Sequence, residues 1–196
     1  MTTLAPQLID DAVYACQRTF RALADGFARP GEIKPISGTD APLPLAPAMA
    51  SVLLCLADFE TPIWLDPTLA VTPVVDWVRF RTGAPIADMP NRAAFALVGN
   101  SRDLPDFTVF AQGSDEYPDR STTVIVQVDR FEGRPIAITG PGIKGTRTFS
   151  AEPFPEDFPV RLAANRELNP RGIDLILIAG TQVLALPRSI RVAAGD

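Results

Sequence analysis

Apolar residues in the first part of the chain fall at a helical period. Ile9, Val13, Cys16, Phe20, Leu23 and Phe27 alternate spacings of four and three, which lines one face of a helix. Asp10, Asp11, Arg18, Arg21 and Asp25 take the opposite side, and Arg29-Pro30-Gly31 ends the pattern. Such a stripe serves a partner helix or the chain's own sheet, and packing on the own sheet is the commoner use.

The pattern then shortens. Residues 32–37 read as a strand, followed by a proline-rich loop over 38–47. A second helix over 48–57 is apolar almost all round, which predicts deep burial. Residues 61–65 form a short strand. Thr72 is expected to cap a third helix with Pro73 in its first turn. Val74, Val75, Val78 and Phe80 should face inward there, and Thr82-Gly83-Ala84-Pro85 stops the helix. A strand over 93–98 leads into the most polar stretch, 99–120, where Asp115, Glu116 and Asp119 predict an exposed, mobile loop. Residues 123–128 and 135–139 alternate like two paired strands joined by a turn at Glu132-Gly133. Asp157 and Pro159 open a last helix that ends near Leu168. The run 173–179 is nearly all apolar, the pattern of a strand covered on both faces. Gly180-Thr181-Gln182 turns it into a strand over 183–186, and 190–193 closes the series. Helices alternating with strands early and strand pairs late predict an α/β fold, a three-layer αβα arrangement around a mixed sheet. No repeat or linker divides the chain, so a single domain over residues 1–196 is expected.

Composition narrows the partners. A net charge of −5 over 196 residues offers no basic face for nucleic acid and is a poor match for anionic membranes. The longest weakly polar run, 46–57, falls short of the roughly 20 residues a membrane-spanning helix needs. Asp10 and Asp11 stand where a secretory leader would carry basic and apolar residues, so a cytoplasmic location is expected. The two cysteines, Cys16 and Cys55, lie on apolar helix faces and are expected as buried free thiols. Lys34 and Lys144 are the only lysines; arginine supplies the remaining cations. That bias suits phosphate or carboxylate recognition, but a general preference in residue usage explains it as well and carries more weight.

The chain contains no histidine, which removes Ser-His-Asp and Cys-His catalysis. Two distant cysteines supply neither a zinc site nor iron–sulfur ligation. Gly140-Pro141-Gly142-Ile143-Lys144-Gly145 matches G-x-G-x-x-G after a predicted strand. A dinucleotide site needs a helix N-terminus behind that loop, whereas residues 146–150 look extended. A tight strand-to-strand connection accounts for the motif better, although Lys144 leaves an anion contact open. Pyridoxal phosphate chemistry requires a lysine and a phosphate cradle, and both lysines read as solvated. Arg79 and Arg81 bracket Phe80 at the end of the third helix, where they favour the negative end of the helix dipole or clamp a phosphate. Arg79, Arg81 and Lys144 are the candidate anion-binding residues; no catalytic, cofactor-binding or metal-binding residue is assigned.

Several segments together carry a family resemblance. They are Thr61-Pro62-Ile63-Trp64-Leu65, Val78-Arg79-Phe80-Arg81-Thr82-Gly83-Ala84-Pro85, Ile138-Thr139-Gly140-Pro141-Gly142-Ile143, and Gly172-Ile173-Asp174-Leu175-Ile176-Leu177 continuing to Ala185-Leu186-Pro187-Arg188. In this order they resemble the PhnH family of the bacterial carbon–phosphorus lyase system, over essentially the whole chain. The resemblance implies a reduced pyridoxal-phosphate-transferase-like fold without the cofactor, and a homodimer. It also implies a place in a core complex with the G, I and J subunits. That complex forms ribose-1-phosphonate-5-triphosphate from ATP and a phosphonate. The implied role is a non-catalytic assembly subunit, and no catalytic residue is carried over. The alternative is a stand-alone enzyme or binder that takes a phosphonate or nucleotide through Lys144, Arg79 or Arg81.

Overall fold

A computed structural model of the chain describes residues 6–193, with side chains from Ala12 onward. Ile9, Asp10 and Asp11 therefore lie outside the described side chains, and 194–196 outside the described residues. The elements in chain order are α1 (Pro6–Ala28), β1 (Ile33–Pro35), α2 (Pro47–Leu56), β2 (Ile63–Leu65), α3 (Thr72–Thr82) and β3 (Phe95–Val98). They continue with β4 (Thr123–Gln127), β5 (Ile136–Thr139), β6 (Arg147–Phe149), α4 (Phe158–Glu167), β7 (Asp174–Ala179), β8 (Gln182–Leu186) and β9 (Arg191–Val192).

Six strands form a mixed sheet in the order β1-β8-β7-β4-β3-β2. Strands β2, β3, β4 and β7 run parallel, while β8 is antiparallel to both β7 and β1. The apolar run of β7 is central, as its pattern predicts, with Leu175 to Ala179 buried on both faces. Successive side chains point to opposite faces of a strand, so the sheet feeds two cores. Ile63, Leu97, Ile125, Ile176, Ile178 and Val183 meet the helical side, where α2 contributes Ala48, Met49, Ala50, Val52 and Leu53. Ala96, Val98, Val124, Val126, Leu175, Leu177, Leu184 and Leu186 face the other side. Each Val, Leu, Ile or Met side chain among them contributes on the order of 1.5–3 kcal/mol when fully buried. The second outer layer is not purely helical. It combines Phe158 and Leu162 of α4 with Phe107 and Phe110 and with Ile138 and Phe149 of a separate antiparallel sheet, β6-β5-β9.

Five expectations need correction. Strands β4 and β5 do not pair: β4 lies between β3 and β7 in the main sheet, and β5 pairs with β6 and β9. Phe80 does not face inward; it is 88% exposed, since two residues past the buried Val78 is about 200° around the helix. Thr72 is not the cap of α3; Val71 occupies that position and makes no side-chain cap bond. The stretch 99–120 is not an open loop throughout, because short 3-10 turns bury Ser101, Leu104, Phe107 and Phe110. Its tip, with Asp115, Glu116 and Asp119, is exposed. On α1 the buried stripe is Thr19, Leu23 and Gly26, with Cys16 and Phe27 half-buried, while Val13 and Phe20 are each 56% exposed.

The glycine motif is the β5–β6 connection. Ile136 pairs with Phe149 and Ile138 with Arg147, so a strand and not a helix follows the loop. Gly142 has φ +80°, and a Cβ there would overlap the carbonyl oxygen of Ala28. The glycines thus serve a tight turn and a close approach to the end of α1.

Candidate functional site

Open α/β sheets leave a crevice outside the carboxyl ends of their parallel strands. In this chain that edge is built from side chains that tie the strand ends together. Asp66, directly after β2 and 3% exposed, accepts hydrogen bonds from Thr68 Oγ1 at 2.7 Å, Leu69 N–H at 2.9 Å and Gly99 N–H at 2.9 Å. The last bond joins the end of β2 to the end of β3. Gln127 closes β4: its Oε1 accepts from Ala46 N–H at 2.7 Å and its Nε2 donates to the Gly99 carbonyl at 3.2 Å. Between them, Asn100 Oδ1 accepts from Arg102 N–H at 3.2 Å and turns the chain. Ser101 is 1% exposed, and its Oγ has no hydrogen-bond partner among the described residues. It lines a pocket of about 160 Å³ together with Asn100, Gln127, Asp129 and the backbone of Gly99 and Gly180.

Asp129 also borders a larger cleft of about 770 Å³. One wall is apolar: Ile136, Ala151 and Phe154, whose ring stacks on Phe158 with centroids 3.9 Å apart and 9° between planes. The charged lining comprises Arg102, Arg130 and Arg134 with Asp129, Glu152 and Glu156. Arg130 is engaged by Glu152 and, at 3.5 Å, by Glu132. Arg102 and Arg134 have no ion-pair partner among the described residues, so their guanidinium donors are free in the cleft.

The residues singled out from the sequence lie elsewhere. Arg79 and Arg81 occupy the last turn of α3, and the Arg81 guanidinium lies 5.4 Å from the Trp77 ring centre. Lys144 is exposed on the β5–β6 turn. Helix α3 follows β2, at one edge of the main sheet, whereas the glycine loop packs on the end of α1 beside β1, at the other edge. These three cations are not brought together. Lys34, on edge strand β1, is not simply solvated: its Nζ lies 2.5 Å from Asp25 and 2.7 Å from Glu32. Its hydrogen bonds hold both carboxyls below their ordinary values, and the carboxylates in turn raise Lys34. Cys16 and Cys55 are free and half-buried between α1 and α2, and the Cys55 thiol donates to the Cys16 carbonyl at 3.4 Å. Burial first, then the neighbouring Cys16, pushes the Cys55 thiol up to about 12.

Sequence reasoning missed Asp66, Ser101, Arg102 and Arg134. The available signal was positional: Gly99-Asn100-Ser101-Arg102 is a polar run set directly at the carboxyl end of an apolar strand.

Comparison with known proteins covers most of the chain. The family model described as "Bacterial phosphonate metabolism protein (PhnH)" matches residues 8–193. The chain is 43% identical over 184 residues to "Alpha-D-ribose 1-methylphosphonate 5-triphosphate synthase subunit PhnH" of Rhizobium meliloti (strain 1021), covering 93% of this chain and 92% of that one. It is 31% identical over 178 residues to HtxG of Stutzerimonas stutzeri, a candidate C-P lyase subunit protein, covering 90% and 85% of the two chains. The chain belongs to the PhnH family of bacterial phosphonate metabolism proteins.

Proposed function

We propose that this chain is a non-catalytic assembly subunit of a cytoplasmic carbon–phosphorus lyase core complex, working as a single-domain protein. In this reading it supports formation of ribose-1-phosphonate-5-triphosphate from ATP and a phosphonate. It does so by docking against its own copy and against the G, I and J subunits. The Rhizobium relative, whose name makes it a subunit of the synthase, supports the role. A reduced pyridoxal-phosphate-transferase-like kinship belongs to the same reading and is supported by the parallel strands with their crevice at the carboxyl ends.

The observation that carries the docking role is apolar surface on two helices. Val13 and Phe20, both 56% exposed, stand two turns apart on α1, beside a stripe that already packs on the sheet. Phe80 is 88% exposed on α3, and Phe59, 73% exposed, adjoins Gly83 one turn further along. Grouped side chains of this size mark interaction surfaces more often than isolated ones do. Co-expression of Phe20→Glu or Phe80→Glu chains with the other core subunits tests the reading. Either variant should remain folded by circular dichroism and lose association with its own copy or with partners. Full association by the double variant would refute this docking surface.

A further inference from the structure

We propose that Cys16 and Cys55 form a peroxide-sensitive pair, in which Cys16 is oxidised first and Cys55 then closes a reversible disulfide between α1 and α2. The two residues are 39 positions apart in sequence, yet the Cys55 sulfur lies 3.4 Å from the Cys16 carbonyl and beside the Cys16 side chain. Both thiols are free and half-buried, so a small oxidant reaches them while a large one is hindered. The helices that carry them are firmly seated. Cys55 lies in the last turn of α2, whose Ala48, Met49, Val52 and Leu53 are buried on the sheet. Cys16 shares a face of α1 with the buried Thr19 and Leu23. A resolving thiol held next to the sulfur that is oxidised first is the arrangement that redox-sensing cysteines use.

Chemistry divides the roles. The thiolate is the form that attacks an oxidant, and burial pushes the Cys55 thiol up to about 12, so the first step falls to Cys16. The Cys16 sulfur attacks one oxygen of hydrogen peroxide. An S–O bond forms, the O–O bond breaks, and the other oxygen leaves as water with the proton that Cys16 gave up. The Cys55 sulfur then attacks the sulfenic sulfur of Cys16. The S–S bond forms, the S–O bond breaks, and that oxygen departs as water with the Cys55 proton. Over both steps the two thiols lose two electrons and two protons, and the peroxide is reduced to two waters. A dithiol reductant reverses the bond by exchange. The disulfide fastens α1 to α2 beside the outward Val13 and Phe20, and it forms in the same way whether or not α1 docks on another chain.

Treatment of the reduced, full chain with hydrogen peroxide tests the pair, read by intact mass and by peptide mapping without reductant. The expected result is loss of two hydrogens from the chain and a cross-linked pair of peptides that contain Cys16 and Cys55. Dithiothreitol should restore both thiols. Closing a loop of 39 positions should raise the melting temperature by about 5 °C or more. In Cys55→Ser the sulfenic acid on Cys16 lacks its partner and should be trapped by dimedone, whereas Cys16→Ser should keep Cys55 as a thiol under the same peroxide. The same oxidant in urea controls for chance encounter of the two sulfurs. The folded chain, which has no loop to close, should form the bond at least about tenfold faster. The wild-type measurements decide the matter even if a variant fails to fold. Survival of both thiols in the folded chain, a disulfide formed only between chains, equal rates with and without urea, or dimedone on Cys55 in place of Cys16 would each overturn the proposal.

Discussion

Arg188 joins three segments that are far apart in sequence, and removing it should weaken the whole sheet. Its Nη1 donates to the Pro118 carbonyl at 2.7 Å, one Nη2 bond reaches Ser121 Oγ at 2.6 Å, and a second meets Asp174 Oδ2. Its Nε donates to Asp174 Oδ1 at 3.2 Å, and the same oxygen accepts the Arg188 backbone N–H at 2.8 Å. The guanidinium thus fastens the start of β7 to the chain after β8 and to the segment entering β4. Side-chain exposures of 16% for Arg188 and 21% for Asp174 place the pair between surface and interior. Breaking a fully buried pair costs about 3–5 kcal/mol, and partial exposure reduces that toward the lower end. Arg188→Met keeps the aliphatic stem and leaves Asp174 with only the backbone donor, so a loss of about 3 kcal/mol follows. For a chain of this length that is a fall of roughly 6–12 °C in melting temperature. Asp174→Asn in the Arg188→Met background removes the stranded charge and should recover part of the loss, about 1 kcal/mol or more. Urea unfolding of the single and double variants measures both quantities. A shift below about 2 °C for Arg188→Met, or strictly additive losses in the double variant, would show that Arg188 does not fasten these segments.

Three further outcomes are expected. Gly142→Ala meets both a positive φ and the Ala28 carbonyl, so it should cost about 2 kcal/mol or more, while Gly145→Ala, with open space around it, should cost only about 1 kcal/mol; chemical denaturation compares them. Because the Cys55 thiol is pushed up to about 12, its thiolate is scarce at neutral pH. Iodoacetamide at about pH 8 should modify Cys55 only after the chain unfolds, as peptide mass spectrometry would report. Asp25 and Glu32 lie below their ordinary 3.8 and 4.5 in the folded chain, so their contribution is complete above those values and is lost as pH falls through the folded ones. Lys34, raised above 10.5, contributes until pH climbs through its folded value. Lys34→Met should therefore flatten both limbs of stability against pH in urea titrations.

Elements whose pattern reflects local burial were legible in the sequence. The all-round apolar α2 and the continuous run of β7 could be placed because nothing but a fully covered position suits them. Gly140 to Gly145 could be read as a turn because extended residues follow it. Pairing was less legible. The alternation in β4 and β5 is equally consistent with a hairpin and with membership of two sheets, and the partners of β4 are set by register with β3 and β7. On α1 the apolar stripe is wider than the face the sheet can cover, so periodicity alone could not divide it between inner packing and outer surface. Phe80 was different: its offset from Val78 already put it on the far side of α3. The cleft escaped because its residues come from three stretches of chain, after β3, after β4 and before α4, that only the parallel sheet brings together.

Co-expression with the other core subunits, followed by size-exclusion chromatography with mass determination, tests the proposed subunit role. Co-elution of this chain in one stable complex is expected, and failure to co-elute when Phe20 and Phe80 are both replaced by Glu. A wild-type chain that elutes alone, free of its own copy and of every core subunit, would contradict it.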